Sequence, residues 1–289
     1  MAQPLFARMF SRPTLRSLTC LIVLGGLLAA CGEDDEETTV DAAAMADDAA
    51  VADMMPEEEA DMMPEEEADM APPAPEGVFA VFLSGALNGT PEEAGPVHDQ
   101  IAAGGEMAAR EAGDLSHDAL ISTELLGTMP GLFQGIDQWD DLDAMLAFYQ
   151  NPQFAQGIGH LIMGMPTIEV VARRDDWHTW GDLTAADDAK PHYFVSARGH
   201  LAQPADMAQA THDMIAAGGQ AAANMAGDVA HVVFLGVEDD RNFIAVDVWR
   251  DSANIEAFYG NPQFQAAFGQ LFDGPPTVRV MQTVGWHEW

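Results

Sequence analysis

The chain has 289 residues, with 47 acidic against 11 basic side chains and a formal net charge of −36 at pH 7. A surface of that sign repels phosphates and anionic headgroups, which excludes nucleic acid as a partner and direct electrostatic adhesion to a membrane. Lys190 is the single lysine.

The first predicted element is an address. Arg8, Arg12 and Arg16 precede an apolar run from Leu18 to Leu28, the order expected of a secretory signal. The run is shorter than the roughly 20 residues of a spanning helix. It ends in Leu28-Ala29-Ala30-Cys31, which resembles the lipobox of bacterial lipoproteins. That resemblance implies removal of residues 1–30, lipid on Cys31 and a membrane anchor outside the cytoplasm. Glycine rather than aspartate follows the cysteine, which by the same resemblance favours the outer membrane. Cys20 falls within the signal, so the mature chain keeps one thiol and has no internal disulfide.

Residues 31–77 read as a tether. Gly32 to Gly77 holds 18 acids and neither Lys, Arg nor an aromatic residue. The octet Ala52–Glu59 repeats directly as Ala60–Glu67, and Pro72-Pro73-Ala74-Pro75 follows. One-signed charge with little bulky apolar content cannot offset the entropy of ordering, so a disordered, extended stalk is expected. Capture of Cu(I) by Met54, Met55, Met62 and Met63 is the alternative, but nothing preorganises those ligands.

From Val78 onward, 29 acids face 8 basic residues, and the chain resembles itself. His98–Gly105 (HDQIAAGG) returns as His212–Gly219 (HDMIAAGG). Gly113-Asp114 and His117 return as Gly227-Asp228 and His231. Trp139 and Phe148–Phe154 return as Trp249 and Phe258–Phe264, and the tails Trp177–Trp180 and Trp286–Trp289 match. The reading is two tandem copies, 78–180 and 192–289, joined by 181–191, each of a size that can hold a core.

In the second copy, Tyr193–Leu201 has strand composition and Ala208–Ala226 is helical in pattern, with Gly227-Asp228 as its stop. His231–Val237 and Phe243–Trp249 are apolar runs joined by Glu238–Arg241, a hairpin signature. Ser252 is positioned to cap a helix from about Asn254, which Asn261-Pro262 interrupts and restarts. Thr277–Val284 is the last strand. The order β-α-β-β-α-β is ferredoxin-like. Continuous apolar runs require cover on both sheet faces, and helices cover only one. The fold class is therefore α+β: two ferredoxin-like repeats forming an intrachain pseudo-dimeric α+β barrel, expected to be monomeric. Two separate beads, each dimerising with another molecule, would use the same surfaces.

Asp247–Asp251 (DVWRD), then Ala253, Ile255 and Asn261–Phe264 (NPQF), resemble the strand-to-helix region of antibiotic biosynthesis monooxygenase-like proteins, of the dimeric α+β barrel superfamily. Asp137–Asp141 and Asn151–Phe154 carry the resemblance in the first copy, and Phe148 and Phe258 stand where many relatives have histidine. The resemblance implies the barrel, and either a cofactor-independent monooxygenase or isomerase or a protein without catalysis.

Strand alternation puts Phe243, Ala245, Asp247 and Trp249 on one face and Ile244, Val246 and Val248 on the other. The aliphatic face suits helices. The mixed face is then expected to line the barrel interior, with Phe133, Asp137 and Trp139 equivalent in the first copy, and to bind a small apolar or aromatic ligand. Asp247 or Asp137 is the candidate base; alternatively Asp247 is held by backbone, Arg198 or Arg279. A helix of roughly 15 residues at 1.5 Å each separates His212 from His231, so shared metal binding is not expected. His231 (His117 in the first copy), Trp249 and His287 are expected at one sheet end. No motif implies a metal or cofactor.

Overall fold

The computed structural model describes residues 77–185 and 192–289. The signal, Cys31, the tether with its methionines and residues 186–191 of the linker lie outside the described residues. The first half contains β1 (Phe79–Ala86), α1 (Pro91–Glu111), β2 (Asp114–Ser122), β3 (Leu132–Trp139), α2 (Leu142–Tyr149), α3 (Pro152–Leu161) and β4 (Thr167–Arg173). The second contains β5 (Tyr193–His200), α4 (Ala205–Ala226), β6 (Asp228–Gly236), β7 (Asn242–Trp249), α5 (Ile255–Tyr259), α6 (Pro262–Phe268) and β8 (Thr277–Thr283).

Local chemistry sets the boundaries. Thr90 and Glu93 form a reciprocal capping box that starts α1. Asn151 and Asn261 accept from the amides of Gln153 and Gln263, with Pro152 and Pro262 opening α3 and α6. Gly227 ends α4 at φ +114°, a left-handed conformation that suits glycine. Ser252 does not cap α5. Instead Asp251 Oδ1 accepts from the Ala253 amide at 2.9 Å, because the chain turns one residue earlier than the cap expectation placed it.

The eight strands close into one barrel in the order β1-β3-β2-β8-β5-β7-β6-β4, with β4 returning to β1. Two seams join the halves, both antiparallel: Leu120–Ser122 of β2 against Met281–Thr283 of β8, and Val171–Arg173 of β4 against Phe234–Gly236 of β6. Closure removes the exposed edges that either four-stranded sheet would have alone.

The barrel interior is packed with aliphatic side chains and phenylalanines. Phe82, Leu120, Ile136 and Val171 of the first half meet Phe194, Val232, Phe234, Ile244, Val246, Val248 and Met281 of the second. Phe82 and Phe234 cross edge-to-face at 5.5 Å. Arg198 is half-buried there, bonded to Glu169 and, at 3.0 Å, to Gln134 Oε1, with its guanidinium over Phe82. This overturns the expected face assignment. Phe243, Ala245 and Trp249 pack with residues of the helices, as do Phe133 and Trp139 in the first half. The physical reason is polarity: the β7 face that carries Asp247 finds its hydrogen-bond partners on the helix side, while the wholly apolar face closes the barrel. A ligand inside the barrel, with Asp247 and Trp249 on its wall, is therefore excluded.

Candidate functional site

Between the sheet and helices of the first half lies a cavity of about 840 Å³. Leu83, Val97, Ile101, Phe133, Phe148 and Phe154 give it an apolar wall, and Asp114, His98, His117, Asp137 and Tyr149 give it a polar floor. β2 and β3 place His117 opposite Asp137 in register. His117 Nδ1–H donates to Asp137 Oδ1, and the Tyr149 hydroxyl donates to Asp137 Oδ2. His98 on α1 meets His117 through their Nε2 atoms at 3.1 Å. Each side chain in this chain is thus held by the next. Asp114 lies beside this chain, its carboxylate favoured by the Ser116 amide and the Trp289 indole.

The electrostatics sort these groups. Burial, reinforced by the Asp137 carboxylate, raises Asp114 to about 8, with His117 opposing. Burial and the neighbouring His117 lower His98 to about 4. Burial works against a charge on His117, but Asp137 outweighs it and the imidazole is raised above its ordinary value. Burial beside Asp137 pushes Tyr149 well up, so it stays a donor. His98 is then the acceptor from a protonated His117, which is balanced by Asp137.

The second half repeats the arrangement. Tyr259 and His231 both donate to Asp247, and His212 meets His231 at 3.2 Å through Nε2. The expectation that the helix keeps these two histidines apart is wrong. β6 doubles back beneath α4, and two long imidazole side chains reaching toward each other close the remaining gap. Among the described residues, no group of three His, Cys, Asp or Glu is arranged to hold a metal ion.

The tails cross over. Trp289 stacks on His117 at 4.5 Å and exchanges backbone hydrogen bonds with it. Trp286 lies 5.0 Å from His98 and over Gly95 of α1, where a Cβ would come within 2.9 Å of its indole nitrogen. Reciprocally, Trp180 stacks on His231 at 4.6 Å and Trp177 lies 4.9 Å from His212. Asp99 and Asp213 accept from the amides of His287 and His178, each at 2.7 Å. Each half therefore caps the polar cluster of the other.

Of the residues singled out from sequence, Asp137, His117 and Phe133 line the large cavity. Asp247 and His231 line its small counterpart. Trp139 and Trp249 are fully buried in the packing beneath the helices, and Phe243 packs among Phe268, Phe272 and Trp177. Asp247 is bound by His231 and Tyr259 rather than by Arg198 or Arg279. His287 does not join His231; it pairs with Glu106 at 2.9 Å in the first half, because the last tail crosses over. Asp114, Tyr149 and His98 were missed as site residues. The signal for Asp114 is its return as Asp228 at the same offset as the histidines, in a Gly-Asp pair that also reads as a helix stop.

Asp118 is a second, half-buried acid with one shielded oxygen. Asp118 Oδ2 has no partner, and burial, with Glu288 nearby, raises the carboxyl to about 8. The folded state then holds a proton that the unfolded chain releases above about pH 4, so this group's contribution to stability is lost as pH rises from about 4 to about 8. Asp118→Asn keeps the neutral shape without the charge. Its melting temperature is expected to exceed that of the natural protein at pH 9, and the gain should shrink at pH 5; equal differences at both pH values would contradict the assignment.

Residues 198–270 match the family model described as antibiotic biosynthesis monooxygenase. A monooxygenase-like protein of Lactobacillus acidophilus NCFM shares the fold at a TM-score of 0.50 and 8% identity, over 73% of this chain and 98% of that one. A second such protein, from Fusobacterium nucleatum, matches at a TM-score of 0.50 and 10% identity, over 74% and 98%. An anthrone oxidase-like protein matches at a TM-score of 0.53 and 18% identity, over 74% and 93%. Comparison with curated protein sequences found no match.

Proposed function

We propose that the first-half cavity binds a small, flat, largely apolar molecule carrying an acidic hydroxyl or an enolisable carbonyl, and that Asp114 exchanges a proton with it. The observation behind this is the cavity of about 840 Å³, whose lining includes the buried carboxyl of Asp114 beside His117, Asp137 and Tyr149. That volume falls in the range of roughly 300–1,000 Å³ usual for small-molecule sites. A carboxyl held near 8 changes protonation close to neutral pH, where acid–base exchange is most effective. Tyr149, Asp137, His117 and His98 are positioning residues: they fix the Asp137 charge that helps set Asp114. Titrating the protein with a panel of phenols and hydroxynaphthalenes should quench tryptophan emission saturably, and silence across the panel would remove this reading.

A second reading is a cofactor-independent oxygenase or isomerase. The family match at 198–270 and the monooxygenase-like fold neighbours favour it. Here Asp114 takes the proton, and the resulting electron-rich anion either reduces molecular oxygen or is reprotonated at another carbon. Anthrone, an enolisable aromatic ketone, is the first substrate to try. Oxygen uptake in step with its consumption separates an oxygenase from a binding protein.

The sequence signals support a placement outside the cytoplasm, with lipid on Cys31 and an acidic tether holding a monomer made of tandem duplicates at the outer membrane. Cys31→Ala should release the protein from the membrane fraction; continued sedimentation with membranes would refute the anchor.

A further inference from the structure

We propose that the chain has one working ligand site, in its first half, and that the second half serves that site rather than providing another. The inference rests on reading the first-half cavity as a ligand site. Both halves keep the tyrosine–aspartate–histidine–histidine chain, but the cavity is about 840 Å³ in the first and about 40 Å³ in the second. The smaller space admits little more than water.

The plug can be traced to particular side chains. Where the first half has Ile158 on α3 and Ile162 just past its end, the second half carries Phe268 and Phe272. The Phe268 ring stacks on Phe264 at 5.4 Å and packs edge-on against Phe272 at 5.0 Å and Phe243 at 6.5 Å. On the facing strand, Gly135 is replaced by Ala245. A Cβ at Gly135 would meet the Phe133 ring at an ordinary 3.6 Å, so crowding does not demand glycine there; its effect is to leave room.

What the second half supplies instead is a wall. Trp289 lines the open cavity against His117, and Trp286 covers His98. Phe268 and Ala245 are thus the residues that decide how many ligands one chain takes.

Equilibrium dialysis of the full-length protein with 1-naphthol tests this. The natural chain is expected to bind one equivalent, Phe268→Ile with Ala245→Gly two, and Ile158→Phe with Gly135→Ala at least about tenfold more weakly than the natural chain. Trp180→Phe should leave binding unchanged, and Trp289→Phe should weaken it. Two equivalents in the natural protein, or one in a folded Phe268→Ile/Ala245→Gly chain, would overturn the proposal. If that opened variant fails to fold, unchanged binding in the closed variant, or equal effects of the two tryptophan substitutions, would overturn it as well. No binding by the natural chain would instead remove the underlying ligand reading.

Discussion

Expressed alone, residues 192–289 are expected to form a dimer or to unfold, and not to persist as a folded monomer. Without the first half, Phe194, Val232, Phe234, Ile244, Val246, Val248 and Met281 would face water; all are buried in the intact barrel. Burying such a side chain contributes about 1.5–3 kcal/mol. The set together rivals the entire net stability of a small domain, about 5–15 kcal/mol. The same truncation frees β6 and β8, which lose β4 and β2 as hydrogen-bonding partners. β6 and β2 occupy equivalent positions in the two halves, as do β8 and β4. Two copies of the second half can therefore rebuild both seams by pairing β6 of one copy with β8 of the other. Light scattering after size exclusion would show twice the chain mass, and dilution should bring unfolding rather than a stable monomer. A compact monomer with cooperative melting would show that each sheet has another way to cover its apolar face, and the pseudo-dimeric account would fail.

The elements were legible in the sequence because their signals are local. The Gly227-Asp228 stop, the Asn-Pro restarts at 151–152 and 261–262, and the apolar run through β7 agree with the structure to within a few residues. The pairing of sheet faces was not legible. Both faces of β7 are apolar, and alternation separates them without saying which one meets the helices. Asp247 suggests a cavity inside the barrel, but its partners, His231 and Tyr259, lie on the helix side. The crossing of the tails was equally hidden. Contacts such as Trp289 on His117 or the His287 amide on Asp99 join residues far apart in sequence, and only barrel closure brings them together. Even the difference between an open and a plugged cavity, visible as Ile158 against Phe268, had no meaning until those positions were known to face the same space.

Asp114→Asn is expected to leave the fold and ligand affinity within a few-fold of the natural protein, and to reduce proton transfer to or from the bound molecule by about 10²–10⁴-fold. The substitution keeps a neutral side chain of the same shape in a site where burial already favours the neutral acid. It removes only the capacity to exchange a proton. In the natural protein the ionised carboxylate is the acceptor, so ligand deprotonation should rise with pH and level off above about 8. The red-shifted absorbance of a bound naphtholate, or the rate of anthrone consumption if the protein is an enzyme, reads the same limb. In Asp114→Asn that limb should vanish while binding of the neutral ligand persists. Asp137→Asn should act differently, because Asp137 touches the ligand's proton only through its neighbour. Losing its negative charge removes one of the two influences that raise Asp114, so the limb should move to lower pH and survive. A limb that disappears in Asp137→Asn and persists in Asp114→Asn would reverse the roles, making the His117–Asp137 pair the base and Asp114 the residue that tunes it.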